Sequence, residues 1–280
     1  MKILQTIEEA HQYSFSQQIA GFSVGLVPTM GALHEGHLSL IEYARQDNSV
    51  TIASIFVNPI QFNNPNDLAK YPRTLEEDLR MLENAGCTAV FAPGENEMYA
   101  QKPALKVDFG SLEHVQEGAF RPGHFSGVGV VVSKLFNIIQ PQWAYFGQKD
   151  LQQFLVIRRL VTDFSFQVRL RCCPIVREAD GLAMSSRNRR LSPEKRPYAS
   201  GIYESLRLAE KTLLEEGIAA AKAAVATYWA TRGEFELEYF EIASADTLEP
   251  LSDPTPARPI ALCIAGYLDG VRLIDNLLIE

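Results

Sequence analysis

Residues 50–57, Val-Thr-Ile-Ala-Ser-Ile-Phe-Val, carry no charge on either alternating face, and this run constrains the fold more than any other part of the chain. A strand with one wet face alternates apolar and polar residues, whereas a strand buried on both faces reads as one continuous β-forming run. Residues 50–57 therefore predict a central strand of a sheet covered on both sides. Shorter runs at 24–27, 88–92, 143–146 and 166–170 alternate with helical patterns. That alternation predicts an α/β fold built on a Rossmann-like, doubly wound parallel sheet. Thr74 followed by Glu77 reads as a capping box at a helix start, with Gly86 at its end. Ser126 opens an apolar helix to residue 139, and 150–161 forms another. Two segments break the rhythm and read as mobile functional loops, 61–67 and 117–124.

The rhythm changes near Pro174. Helices over 193–216 and 218–231 precede strands near 235–242, 260–267 and 271–274, the order of a smaller α+β domain. The expected division is 1–176 and 177–280. Residues 253–259, rich in proline, read as a turn between strands.

The stretch Pro28-Thr-Met-Gly-Ala-Leu-His34-Glu-Gly-His37 follows the apolar run at 24–27 and opens an amphipathic segment in which Leu38, Leu40, Ile41 and Ala44 recur at helical spacing. A strand-to-helix turn of this kind suits phosphate. Gly31 and Gly36 let a ligand approach the backbone, and the N–H groups and dipole at a helix start favour an anion. His34 and His37, three apart, would share one helix face. They read as donors to phosphoryl oxygens, against a zinc pair or an ordinary polar loop. No other His or Cys cluster completes a metal site.

Other chemistry sits at other strand ends. Gly147-Gln-Lys149-Asp150 follows the run at 143–146, and Met184-Ser185-Ser186-Arg187 follows a strand expected around Ile175. The carboxyl ends of parallel strands face one crevice, so these pieces are expected to converge on one ligand. Lys149 would neutralise phosphate charge, and Asp150 would accept from a ribose hydroxyl or cap its helix. Ser185 and Ser186 lack a neighbouring base or a nucleophile elbow and read as hydroxyl donors.

With 280 residues and 46% hydrophobic content the chain can bury a large core, and its formal charge of −8 argues against a general nucleic-acid binder. Cys87, Cys172, Cys173 and Cys263 show neither metal nor disulfide spacing and read as reduced thiols. No run is apolar enough for a membrane span, and the first residues are too polar for a signal peptide, so a cytoplasmic location is expected.

The segments Val-Pro-Thr-Met-Gly-Ala-Leu-His-Glu-Gly-His, Ser54-Ile-Phe-Val-Asn-Pro-Ile-Gln-Phe62, Tyr71-Pro-Arg-Thr74, Arg121-Pro-Gly-His124, Phe146-Gly-Gln-Lys-Asp150, Asp180-Gly-Leu-Ala-Met-Ser-Ser-Arg-Asn188 and Arg272-Leu-Ile-Asp-Asn276 together resemble the pantothenate synthetase (pantoate–β-alanine ligase) family. The resemblance runs almost end to end. It implies that the carboxylate of (R)-pantoate attacks the α-phosphorus of ATP, assisted by Mg²⁺, and that the amine of β-alanine then attacks pantoyl adenylate. A homodimer is also implied. Carried over residue by residue, Met30, Gly31, Ala32, Leu33, His34, Glu35, Gly36 and His37 would hold ATP, with His37 the catalytic donor and His34 its partner on the phosphates. Gly147, Gln148, Lys149, Asp150, Val176, Met184, Ser185, Ser186 and Arg187 would complete the nucleotide site, Lys149 being a further catalytic residue. Gln61 and Gln153 would bind pantoate, with Gln61 also near β-alanine.

Apolar walls such as Pro28, Met30 and Phe56 suit the gem-dimethyl unit of pantoate. A reactive acyl adenylate needs protection from water, which gives 61–72 and 117–124 a lid role. One departure stands out: Ala183-Met-Ser-Ser-Arg187 lacks the first lysine of the Lys-Met-Ser-Lys-Ser loop of related synthetases, so Lys149 and Arg187 carry more of the cationic role. Glu76, Glu77 and Asp78 stand where the family carries an acidic cluster, either as metal ligands or as charges favoured by the helix dipole. Two other functions are consistent with the residues alone. One is a simple nucleotidyltransferase, and the other a nucleotide-binding module without catalysis.

Overall fold

The computed structural model describes residues 1–252 and 259–280 of the chain, so the turn expected over 253–259 lies outside the described residues except for Pro259. Two compact units are present. The first comprises Met1–Gln148 and Gln152–Pro174, and the second comprises Lys149–Leu151 and Ile175–Glu280.

The first unit begins with β1 (Lys2–Leu4), α1 (Ile7–Ile19), β2 (Val24–Thr29), α2 (Glu35–Asp47), β3 (Val50–Ile55), α3 (Pro65–Lys70), α4 (Leu75–Asn84), β4 (Ala89–Phe91) and α5 (Glu95–Met98). It continues with α6 (Gln116–Phe120), α7 (His124–Ile139), β5 (Trp143–Gly147), α8 (Leu151–Asp163) and β6 (Arg169–Cys173). The strands form one sheet in the order β1-β4-β3-β2-β5-β6, with every pairing parallel. All six residues of β3 are buried, as the uncharged run requires. Alternate residues feed opposite layers: Val24, Leu26 and Ile52 join the core that includes Phe125 and Val132, while Val27, Ala53 and Ile55 join the core that includes Ile41 and Leu82. From β2 the chain winds outward through β3 and β4, then returns to β5 on the other side. The carboxyl ends of β2 and β5 therefore flank a topological switch point, where a doubly wound sheet leaves a crevice.

Several boundaries differ from expectation, each for a local reason. The N-terminal β1, unforeseen because its three residues carry no periodicity, adds an edge strand beside β4. The last strand lies at 169–173 rather than 166–170: Arg169 and Arg171 interrupt the apolar pattern, yet an edge strand tolerates such charges. Thr74 makes no side-chain cap bond to α4, and its hydroxyl donates instead to Asp78 Oδ2 at 3.2 Å, so the expected capping box is absent. Helix α7 starts two residues early, after Gly123 in the left-handed region at φ 78°, and the Ser126 hydroxyl accepts from Val107 N at 3.1 Å rather than capping. The supposed loop at 61–67 runs into a helix because the Asn64 side chain accepts from Asn66 N at 2.9 Å and Pro65 sits at the first helical position. The segment at 117–124 likewise contains most of α6.

In the second unit, α9 (Gly201–Glu216) and α10 (Ile218–Arg232) precede the antiparallel sheet of β7 (Phe235–Ser244), β8 (Ile260–Leu268) and β9 (Val271–Ile279). The first of these helices begins later than expected, since residues 193–200 form turns and the 3-10 segment Arg196–Ser200. Trp229 and Phe235, with ring centroids 4.4 Å apart, join the helices to the sheet in a core with Leu206, Val225 and Leu262. No strand forms around Ile175; residues 176–184 make a narrow hairpin with one antiparallel bridge between Arg177 and Ala183. The Met184–Arg187 stretch thus hangs on this hairpin instead of on a sheet strand. No helix of the described residues is long and apolar enough to cross a membrane.

Candidate active site

Residues 30–37 connect β2 to α2 at the switch point. Gly31 and Ala32 both adopt positive φ, 78° and 51°. For alanine this region is unfavourable by about 1 kcal/mol, so something must hold the turn. The buried carboxylate of Asp78, on α4, does so: Oδ2 accepts from Ala32 N at 3.0 Å and Oδ1 from Leu33 N at 2.8 Å. Asp78 is therefore not an exposed dipole charge: both of its oxygens brace the backbone, and Oδ2 also accepts from the Thr74 hydroxyl. Thr29 adds a second brace, donating to Ser54 O at 2.7 Å and accepting from Gly31 N at 3.2 Å.

His34 is the N-cap of α2 rather than a residue on its face. Its Nδ1 accepts from Gly36 N at 3.2 Å. A backbone N–H can only donate, so in the neutral ring the proton resides on Nε2. The His37 ring lies 4.1 Å from that of His34, centroid to centroid, at the positive end of the helix. The two imidazoles stand together at that end, which suits phosphoryl oxygens, whereas the N–H groups of Gly31, Ala32, Leu33, Gly36 and His37 already donate within the protein. Across the switch point, β5 ends at Gly147, where an added Cβ would meet nothing within 4 Å, and Gln148 follows it.

Gln61 is only 6% exposed, contrary to the usual surface habit of glutamine. It ends the 3-10 turn Pro59–Gln61 after β3. Its Oε1 accepts from Asn58 Nδ2 at 3.0 Å, its Nε2 points at Met30 Sδ at 3.2 Å, and its carbonyl meets His124 Nδ1 at 2.8 Å. Arg121 Nη1 approaches His124 Nε2 at 3.2 Å. A guanidinium only donates and a carbonyl only accepts, so both neighbours require the neutral ring protonated on Nδ1. Gly127 makes the arrangement possible, because a Cβ there would lie 2.5 Å from Ile60 O. The structure thus joins Gln61 to the 30–37 turn through Met30. Gln153 is half-buried on α8, while its neighbour Gln152 is buried and donates to Leu112 O and Val115 O at 2.6 and 2.9 Å.

In the second unit the Met184–Arg187 loop is braced from within. Met184 N donates to Val176 O at 3.0 Å, and Ser185, the N-cap of a 3-10 turn, accepts from Arg187 N at 3.3 Å. The buried Asn188 donates to Glu178 Oε1 at 2.7 Å and Ala183 O at 3.1 Å, and Arg196 grips both Glu178 and Asp180 at 2.7 and 2.6 Å. That guanidinium holds the Asp180 carboxyl below its ordinary range. Lys149 is tied to the same unit through its carbonyl, which accepts from Asn276 Nδ2 at 3.0 Å, and Asp150 is exposed at the end of the 3-10 turn Gln148–Asp150.

A family model described as pantoate-beta-alanine ligase matches residues 2–278. The chain belongs to the pantoate-beta-alanine ligase family. Among its relatives, a pantothenate synthetase of Cytophaga hutchinsonii is 49% identical over 278 residues, covering 99% of this chain and 98% of that protein. One from Moorella thermoacetica is 48% identical over 282 residues, covering 100% and 99%. The crystal structure of pantothenate synthetase from Thermus thermophilus superposes with a TM-score of 0.91 at 44% identity over 99% of both chains. A pantoate-beta-alanine ligase from Francisella tularensis, complexed with beta-gamma ATP and beta-alanine, matches with a TM-score of 0.83 at 36% identity, over 99% of this chain and 97% of that one.

The family motifs did not reveal Asp78 as a brace; they contained Asn58 without its role beside Gln61, and they did not include Tyr99. Tyr99 follows α5, and its hydroxyl donates to Asn58 Oδ1 at 2.8 Å. The one sequence signal available was Asn58 itself, a polar residue closing an otherwise apolar run.

Proposed function

We propose that the protein condenses (R)-pantoate with β-alanine at the expense of ATP, giving pantothenate, AMP and pyrophosphate. The observation that carries this reading is the match to the ligase family over 2–278, and the paired imidazoles at the head of α2 agree with it. In the first step a pantoate carboxylate oxygen bonds to the α-phosphorus of ATP and the bond to pyrophosphate breaks. In the second the β-alanine amine attacks the acyl carbon, the bond to AMP breaks, and the nitrogen loses a proton.

His37 and His34 donate to the phosphoryl oxygens as charge builds on them, where a fixed donor contributes most. Residues 30–37 hold the triphosphate through the two imidazoles and the positive end of α2, and Gly147, Gln148, Asp150, Val176 and Met184 help complete the nucleotide site. Lys149, Ser185, Ser186 and Arg187 add positive charge and hydroxyl donors. Gln61 and Gln153 fix the oxygens of pantoate while Pro28, Met30 and Phe56 receive its methyl groups. The outer parts of 61–72 and 117–124 shield the acyl adenylate from water.

Among the described residues no group of three His, Cys, Asp or Glu is placed to hold a metal, and both Asp78 oxygens are engaged by main-chain amides. Mg²⁺ would then be carried in on the triphosphate rather than held by a protein carboxylate cluster. When bound, it would supply neutralisation of phosphate charge beside His34, His37 and Lys149. Four free thiols support a cytoplasmic setting, and family resemblance supports a homodimer.

Supplying ATP, pantoate and β-alanine, omitting each in turn, and weighing the products tests the reaction. A new amide with AMP and pyrophosphate is expected. A product that retains the nucleotide would instead identify a nucleotidyltransferase, and ATP binding without pantoate-dependent pyrophosphate release would identify a binding module.

A further inference from the structure

Gln61 has an amide whose two ends differ in what they offer a ligand: Oε1 accepts and Nε2 donates. Which end faces outward depends on its neighbours. Asn58 decides this, because its Nδ2 donates both to Gly127 O at 3.1 Å and to Gln61 Oε1 at 3.0 Å. The Gly127 carbonyl can only accept, so the nitrogen of Asn58 must face it. The Asn58 oxygen is then left facing Tyr99, whose hydroxyl donates to it at 2.8 Å. Asn58 is 1% exposed, so no solvent could replace that donor. With Oε1 engaged, Gln61 directs Nε2 at Met30 Sδ, and a thioether is a weak acceptor for an amide donor. A strong N–H thus stands beside the turn with a partner that a ligand oxygen would readily displace.

Tyr99 suits this task. Its ring is held against Phe56, centroids 5.9 Å apart, and burial pushes its phenol well above the ordinary value, so it remains a donor through the neutral range.

We propose that Tyr99 is a positioning residue for the acid substrate: by completing the hydrogen bonds of Asn58 it fixes the Gln61 amide with its N–H end toward a pantoate oxygen. The inference rests on the proposed binding of pantoate by Gln61. Loss of the phenol leaves a buried Asn58 oxygen without its donor and the Gly127 carbonyl as the remaining restraint on the Asn58 side chain, so the Asn58–Gln61 pair is held less firmly.

Steady-state kinetics on the full chain test this with Tyr99→Phe, Gln61→Ala and the double variant, each checked for an unchanged thermal midpoint. The Phe substitution removes one oxygen and keeps the ring against Phe56. We expect Tyr99→Phe to raise the KM for pantoate about tenfold, with the KM for ATP unchanged within about twofold. Added to Gln61→Ala, it should raise the pantoate KM by less than about twofold more, since a residue that acts through another has nothing left to position. Multiplying effects in the double variant would overturn the proposal, as would an unchanged pantoate KM in a folded Tyr99→Phe. An equal rise in the ATP and pantoate KM values would also overturn it, by revealing a general structural role. If Gln61→Ala leaves the pantoate KM unchanged, the assignment of Gln61 itself fails, a result that does not depend on Tyr99.

Discussion

The Asp78 carboxylate accepts the main-chain N–H of Leu33 at 2.8 Å, and with it the N–H of Ala32, so a side chain on α4 fixes the turn that delivers His34 and His37. The turn needs this brace. Its backbone is in the left-handed region at two consecutive residues, and only one of them is glycine.

Asp78→Ala should lower stability by about 3 kcal/mol, because it strands two buried amides. Asp78→Asn, which keeps one acceptor oxygen, should lose about 1 kcal/mol. Urea denaturation measures both. If Asp78 were a surface charge at a helix start, the two substitutions would be alike and nearly silent.

His37 and Gln153 should fail in different ways. For His37→Ala we expect kcat to fall about 100-fold with ATP affinity nearly unchanged, since its donor matters most as charge develops. Gln153→Ala should raise the pantoate KM and leave ATP binding intact. Normal turnover in the first variant removes His37 from the chemistry, and equal weakening of both ligands in the second indicates damage to the fold.

The thiols predict a loss of stability in alkali. Burial pushes Cys87 and Cys172 up to about 11 and Cys173 up to about 12. A free thiol in an unfolded chain ionises near about 8.5. Because the folded values are the higher ones, the neutral thiols stabilise the fold fully below that value, and the contribution is lost as pH rises from there towards 11 to 12. Denaturation midpoints measured from pH 7 to 11 should decline over the upper part of that range. Alkylation at pH 8 should be slow in the native protein and fast once it is unfolded; rapid native labelling of Cys87 or Cys173 would contradict their burial.

Arg177 and Asp275 form a bidentate pair at 2.6 and 3.1 Å in the second unit, with the guanidinium 3.9 Å from the Tyr203 ring and the carboxylate fully buried. Arg177→Met should destabilise by about 3–5 kcal/mol because it leaves a buried carboxyl alone. Burial already pushes Asp275 upward, an effect Arg177 opposes. The double change Arg177→Met with Asp275→Leu should recover most of the loss, as measured by the thermal midpoint, because no orphaned charge remains.

The sequence by itself determined the parallel sheet, its buried central strand and the placement of the two histidines after β2. Residues 50–57 could be buried on both faces only in a covered sheet, and the 28–37 stretch could open a helix only with its glycines and polar head. Strand and helix periods are local, so they are written in consecutive side chains. Only the tertiary structure decided that Asp78 is a brace, that Gln61 is buried, that Tyr99 and the Gly127 carbonyl hold Asn58, and that His124 meets the Gln61 carbonyl. Those bonds span 41 to 69 residues or end on main-chain groups, as in Asp78 to Ala32, His124 to the Gln61 carbonyl and Asn58 to the Gly127 carbonyl. A main-chain amide or carbonyl is the same at every position along a chain, and only folding selects which one a side chain will meet.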